Sequence, residues 1–205
     1  MAVHLTRIYT RTGDDGMSSL GDFTRVPKTD PRLVAYADVD EANCAIGVAL
    51  ALGALDQRLI TVLRQVQNDL FDVGADLCNP IVDPKSQTQP EYPPLRIDES
   101  YVIRLEGWCD EFNAPLPTLK SFILPGGTPG AALLHIARVV TRRAERSSWA
   151  LLAVDAERTN ALTARYLNRL SDLLFILCRV ANPDGDVLWK PGGNHPSENS
   201  PREDG

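Results

Sequence analysis

The chain has 205 residues, 43% of them hydrophobic, with a formal net charge of −6 and an isoelectric point near 5.1. That length suits one domain, and the apolar fraction excludes a wholly disordered chain. The acidic balance excludes nucleic acid and an anionic membrane surface as main partners.

No apolar run reaches the ~18 residues needed to span a bilayer. Met1 to Tyr9 lacks the continuous apolar stretch of a secretory leader, so a cytoplasmic location is expected. The four cysteines, at 44, 78, 109 and 178, form no CxxC pair. They read as reduced, buried thiols.

In chain order, residues 1–30 form an arm too polar and glycine-rich for a helix. Its run Arg11-Thr12-Gly13-Asp14-Asp15-Gly16 has the composition of an anion cradle, with glycines that let backbone N–H groups turn inward. An ordinary turn has the same composition, and no GxxxxGK[ST] loop occurs anywhere. Asp30 as N-cap and Pro31 at the first helical position open a first helix running to about Gly53. A second helix is predicted from about Asp56 to Asn79-Pro80. Its apolar positions Leu59, Leu63, Val66, Leu70, Val73 and Leu77 alternate in steps of four and three, the seam of a helix packed on near-parallel neighbours.

Residues 79–96 hold five prolines and read as a surface loop. A third helix spans about Asp98 to Asn113. Thr128 and Pro129 then open a fourth, to about Val154. A fifth is predicted from about Ala156 to Ala181, with Tyr166, Leu170, Leu173, Leu177 and Val180 as its buried stripe. Residues 191–205 are rich in Gly, Pro, Ser and charge, so a disordered tail is expected there. The fold class is therefore all-α: a five-helix up-down bundle with an irregular N-terminal arm, as one domain over 1–190.

Three features could carry chemistry. Arg138, Arg142 and Arg146 lie four apart on the fourth helix, beside Arg143 and Glu145. Like charges at that spacing repel unless an anion compensates, and guanidinium forks match phosphate oxygens. A solvated charge face is the plain alternative. On the fifth helix Asn168, Ser171 and Asp172 share a polar side, suited either to an inter-helix contact or to a ligand or Mg²⁺. On the first helix Asp38, Asp40 and Glu41 stand among small apolar residues, and Arg138 is a candidate cation for them. The histidines, at 4, 135 and 195, show no metal spacing. None follows a glutamate by three residues, which disfavours a di-iron bundle.

The blocks Ile8–Gly16, Val39-Asp40-Glu41, Phe122-Ile123-Leu124-Pro125-Gly126-Gly127, Arg142-Arg143-Ala144-Glu145-Arg146 and Leu167–Asp172 occur in this order. Over residues 6–182 the sequence resembles the PduO-type ATP:cob(I)alamin adenosyltransferases. The resemblance implies a homotrimer with active sites between subunits. It implies an ATP site formed by Thr10, Arg11, Thr12, Gly13, Ser18, Ser19 and Lys28 with Arg142, Arg143, Glu145, Arg146 and Asn168. Mg²⁺ would be held through the ATP phosphates, with Asn168 as a further ligand. Asp40 and Arg138 match a subunit-bridging ion pair, and Phe122 matches the aromatic that closes the lower face of a corrinoid such as cobalamin. The implied reaction is transfer of the 5′-deoxyadenosyl group of ATP to reduced cobalt, with release of triphosphate. A reductase and an adenosylcobalamin-dependent mutase would be its partners. Two positions depart from the family, Arg11 and Asp15, where lysine is common. Asp15 removes a positive charge from the cradle, for Lys28 or Arg25 to offset. A carrier that binds ATP and corrinoid without turnover would use the same residues.

Overall fold

In a computed structural model, residues 9–82 and 93–192 are described. Five helices carry the fold: α1 (Pro31–Leu52), α2 (Gln57–Cys78), α3 (Glu99–Asn113), α4 (Pro129–Asp155) and α5 (Leu162–Val180). α1 packs between α2 and α4, α4 continues to α5, and α5 to α3. The sequence signals act as expected at the helix starts. Asp30, Asp56, Asp98 and Thr128 each accept a backbone N–H from the first turn, and proline occupies the first position of α1 and α4. The α2 seam and the α5 stripe are buried, except that Val180, the last residue of α5, is only half-buried. No helix among the described residues is long and apolar enough to cross a membrane.

Three expectations need correction. The arm is not wholly irregular: β1 (Met17–Ser19) and β2 (Arg25–Pro27) form an antiparallel hairpin, Met17 opposite Pro27. Three-residue strands are too short for an alternation to show. The fifth helix starts later than Ala156. Ala156–Arg158 is a 3₁₀ turn, and the Thr159 hydroxyl donates to the Asp155 carbonyl at 2.7 Å. Asn160 is held by Asp76 and the Ile97 carbonyl, and its own side chain accepts Leu162 N–H, so α5 starts there. All four cysteines are free, but only Cys178 is buried; Cys78 and Cys109 are half-buried and Cys44 is exposed on α1. Most of the proline-rich 79–96 loop and nearly all of the 191–205 tail lie outside the described residues.

Buried polar residues fix how the helices sit. Asp69 (1% exposed) accepts from Gln65, Arg104 and Tyr166, so one carboxylate ties α2 to α3 and α5. Arg32 reaches the Leu77 carbonyl, Asp155 and Thr159, joining the start of α1 to the ends of α2 and α4. α1 and α4 therefore run antiparallel, with Gly53 meeting Gly130 at the other end. The hairpin docks at the Arg32 end. Gly21 N–H donates to the Cys78 carbonyl at 3.0 Å, and a Cβ at Gly21 would come within 2.1 Å of the Asn79 side chain.

Candidate active site

The arm gathers donors around a turn. Gly16 N–H donates to the Gly13 carbonyl and Lys28 N–H to that of Gly16. This closure brings the Lys28 ammonium beside Gly13, where a Cβ would lie 3.1 Å from Nζ. The Thr10 and Thr12 hydroxyls are 3.0 Å apart, and Arg11, at φ 61°, lies over the Tyr9 ring. Thr10, Arg11, Thr12, Gly13 and Lys28 thus share one outward-facing turn. Ser18 faces the Tyr36 hydroxyl, whose pKa is raised chiefly by burial; Ser19 is exposed. Asp15 does not face the cradle as a free anion. Its carboxylate accepts Met17 N–H and pairs with Arg25 at 3.2 Å, and Arg25 also donates to the Thr12 carbonyl. Arg25 thus neutralises the Asp15 carboxylate, and Lys28 has no ion pair among the described residues.

On α4 the arginines separate. Arg143 pairs with Glu41 and approaches Asp38 at 3.9 Å, and the Glu41 hydrogen bond raises its pKa. Asp38 also accepts from Ser147 at 2.5 Å. Within the chain, the cation serving Asp38 and Glu41 is therefore Arg143 rather than Arg138. Arg142 and Arg146 are exposed, and neither has an ion pair or hydrogen bond among the described residues. Glu145, their nearest carboxylate in sequence, instead accepts from the Asn168 amide at 3.1 Å. Asn168, Ser171 and Asp172 do not converge: the Ser171 hydroxyl turns back to the Asn168 carbonyl, and Asp172 pairs with Arg169. Asp40 is exposed, and it and Arg138 do not pair within the chain.

At the opposite end from the arm, a cavity of about 700 Å³ is lined by Phe122, His135, Arg138, Phe175 and Trp189, with Lys120 at its side. The loop before α4 and the segment after α5 zip together there. Trp189 N–H donates to the Phe122 carbonyl at 2.8 Å, and Leu124 N–H to that of Val187 at 2.8 Å. Asn182 secures the loop by accepting Thr128 N–H and donating to the Gly126 carbonyl. Gly127 has φ 100°, and a Cβ there would collide with the Asn182 side chain. Phe122, 77% exposed, meets Trp189 at 5.9 Å between centroids. This is a large aromatic-lined cavity held on a fixed frame, suited to a flat, mostly apolar ligand.

The helical rise places the features relative to one another. Arg142 stands one turn beyond Arg138, about 6 Å along α4, whereas the Asp155 end near the arm is about 20 Å further on. Arg142 therefore stands close to the cavity end of α4, Arg146 lies about midway between Arg138 and Asp155, and the arm of the same chain lies away from the cavity. Sequence reasoning passed over His135, Phe175 and Trp189. His135 is three residues before Arg138 and shares its face, which was a readable signal. Nothing local marked Trp189, because only the long-range pairing with 122–124 brings it in.

The cobalamin adenosyltransferase family model matches residues 8–181. The corrinoid adenosyltransferase of Mycobacterium tuberculosis is 68% identical over 194 residues, covering 95% of this chain and 98% of the relative. That of Bacillus subtilis is 41% identical over 190 residues, 90% of this chain and 92% of the relative. Among solved structures, a phenylalanine-to-alanine variant of a PduO-type ATP:corrinoid adenosyltransferase from Lactobacillus reuteri, complexed with cobalamin and ATP, is similar with a TM-score of 0.79. It is 34% identical and covers 90% of this chain and 99% of its own. On the matched span, the identity and the shared bundle, this chain belongs to the cobalamin adenosyltransferase family, enzymes that pass an adenosyl group from ATP to a corrinoid.

Proposed function

We propose that adenosyl transfer takes place where the aromatic cavity of one chain, its Arg142 and Arg146, and the N-terminal arm of a second chain meet. The observation that carries this reading is the pair of unpaired guanidiniums, Arg142 one turn and Arg146 two turns along α4 from Arg138 at the cavity. The corrinoid lies against Phe122, and the triphosphate of ATP runs along Arg142 and Arg146. Thr10, Arg11, Thr12, Gly13, Ser18, Ser19 and Lys28 close over the nucleotide from the neighbouring subunit. Asn168, positioned by Glu145, completes the site.

In the reaction the electron pair of Co(I) forms the bond to the 5′ carbon while the carbon–oxygen bond to triphosphate breaks. Reduced cobalt is itself a strong nucleophile, so the chain supplies alignment and charge stabilisation. Arg142 and Arg146 offset the charge that grows on the leaving oxygen. Phe122 keeps a lower ligand off the cobalt, which favours its reduced state. Among the described residues no group of three or more His, Cys, Asp or Glu could hold a metal ion. Mg²⁺ would be carried by the ATP phosphates, and the Asn168 side-chain oxygen, left free because its amide nitrogen donates to Glu145, would be a ligand for it. Arg143, bound to Glu41, holds α1 against α4 rather than touching ATP.

The assembly we propose is a homotrimer over a single domain, residues 1–190. α1 and α4 support it. Ile136, Val139, Trp149 and Val154 on α4 and Val48 and Leu52 on α1 are exposed apolar side chains. Exposed Asp40 and half-buried Arg138, unpaired within one chain, fit a bridge between two. A reductase supplying the electron and a mutase receiving the product complete the setting, in the cytoplasm.

Subunit mixing tests the shared site. A chain with Lys28→Ala and Thr12→Ala is refolded together with a chain carrying Arg142→Ala. Each homotrimer is expected to be strongly impaired, and the mixture to exceed both through sites that draw the intact arm from one chain and the intact α4 from the other. A mixture as inactive as its parents refutes the shared site.

A further inference from the structure

His135 is 3% exposed, yet it lines the cavity, and its Nδ1 has no hydrogen-bond partner. Three residues on, Arg138 lines the same cavity, and its Nε, also shut off from solvent, has no partner. A buried polar atom without a partner is destabilising, and two on one face of one helix suit a ligand group that satisfies both. The rest of the lining is Phe122, Phe175 and Trp189 with half-buried Leu119 and Ile123, Lys120 at the edge, and Ser121, whose hydroxyl already donates to the Trp189 carbonyl at 2.7 Å. The His135 ring is fixed edge-to-face on Phe175, 6.5 Å between centroids.

We infer that His135 positions the corrinoid by binding one of the amide side chains on the rim of its ring. The amide N–H donates to imidazole nitrogen, and the amide carbonyl accepts from Nε–H of Arg138. An amide offers both a donor and an acceptor, so it matches this pair, whereas an apolar rim group would leave both unsatisfied. Burial, then the neighbouring Arg138 cation, lowers the His135 pKa, against an opposing pull from Asp186. The neutral ring keeps the lone pair that the amide requires. Asp186 is the competing partner on the protein side. Its Oδ2 is taken by Arg179 at 2.9 Å and its Oδ1 is unpartnered, so a small rearrangement could pair it with His135 in a purely structural role. The inference rests on the cavity being the corrinoid site.

The test compares His135→Phe, which keeps the aromatic contact, and His135→Gln, which keeps a hydrogen-bonding group, with the unaltered enzyme. Cobalamin binding without ATP is read from quenching of tryptophan fluorescence, and the KM for cob(I)alamin, kcat and KM for ATP from turnover. His135→Phe is expected to weaken cobalamin binding and raise the corrinoid KM roughly five- to tenfold, the loss of about one hydrogen bond. Its kcat and the KM for ATP stay within about twofold, and His135→Gln recovers most of the loss. Unchanged cobalamin affinity in folded His135→Phe overturns the inference. So does a variant whose only defect is a lower Tm, the signature of pairing with Asp186. If His135→Phe does not fold, His135→Leu replaces it in the same comparison. An unaltered enzyme that turns over no corrinoid refutes the site reading instead, a result distinct from equal affinities in variant and parent.

Discussion

Arg142 and Arg143 are neighbours in sequence, and the structure predicts opposite consequences for losing them. Arg142 is exposed and unpaired among the described residues, so Arg142→Ala removes nothing that holds the fold. If its guanidinium donates to the leaving triphosphate, the loss is one charge-assisted hydrogen bond in the transition state, about 1.5–3 kcal/mol. At ~1.4 kcal/mol per tenfold, kcat falls about 10- to 150-fold. Arg143→Ala removes the Glu41 and Asp38 contacts instead. That pair is well exposed, so the stability cost is about 0.5 kcal/mol, a Tm shift of about 1–2 °C. The assay is turnover at saturating MgATP and corrinoid, beside thermal unfolding. Arg142→Ala should lose rate at unchanged Tm, and Arg143→Ala should lose a little Tm at largely retained rate. Unchanged turnover in Arg142→Ala refutes the charge-stabilising role. A rate loss in Arg143→Ala equal to that of Arg142→Ala refutes the division of labour between them.

Phe122→Ala opens the cavity wall at a mostly exposed side chain; ATP affinity measured by calorimetry should be retained while adenosylation slows, and a full rate would remove Phe122 from the corrin site. Asp40→Asn takes one charge from the proposed bridge to Arg138, so sedimentation should show the assembly dissociating at higher protein concentration, and an unaltered profile would contradict the bridge. Asp69→Leu strands Tyr166 and Arg104. Leaving a buried pair half-made costs ~3 kcal/mol, reduced from fuller values because Arg104 is one-third exposed. Thermal unfolding should fall by about 6–12 °C, and a shift below a couple of degrees would show that the network contributes little.

The bundle was legible because helices announce themselves locally. Asp30, Asp56, Asp98 and Thr128 sit at the caps, and the spacing of Leu59 to Leu77 repeats with the helix. What resisted reading depends on contacts distant in sequence. The α5 start is set by Asn160 reaching Asp76 and Ile97, and the cavity by Trp189 pairing with Phe122. The three guanidiniums on α4 were visible as a stripe. That Arg142 and Arg146 stay free was not, because it depends on Arg143 taking the carboxylates on α1 and Glu145 taking Asn168 on α5. For Asp15 the sequence offered Lys28 or Arg25 as the compensating cation, and the hairpin, by pairing Met17–Ser19 with Arg25–Pro27, brings Arg25 to it.

The central claim is that this chain moves the adenosyl group, rather than only holding ATP and corrinoid together. Purified protein is mixed anaerobically with MgATP and chemically reduced cobalamin, and the Co(I) absorbance is followed. The account predicts ATP-dependent loss of that band, a light-sensitive cobalt–carbon product, and triphosphate released in equal amount. Tight binding of ATP and corrinoid with no loss of the Co(I) band would contradict it and leave a carrier in its place.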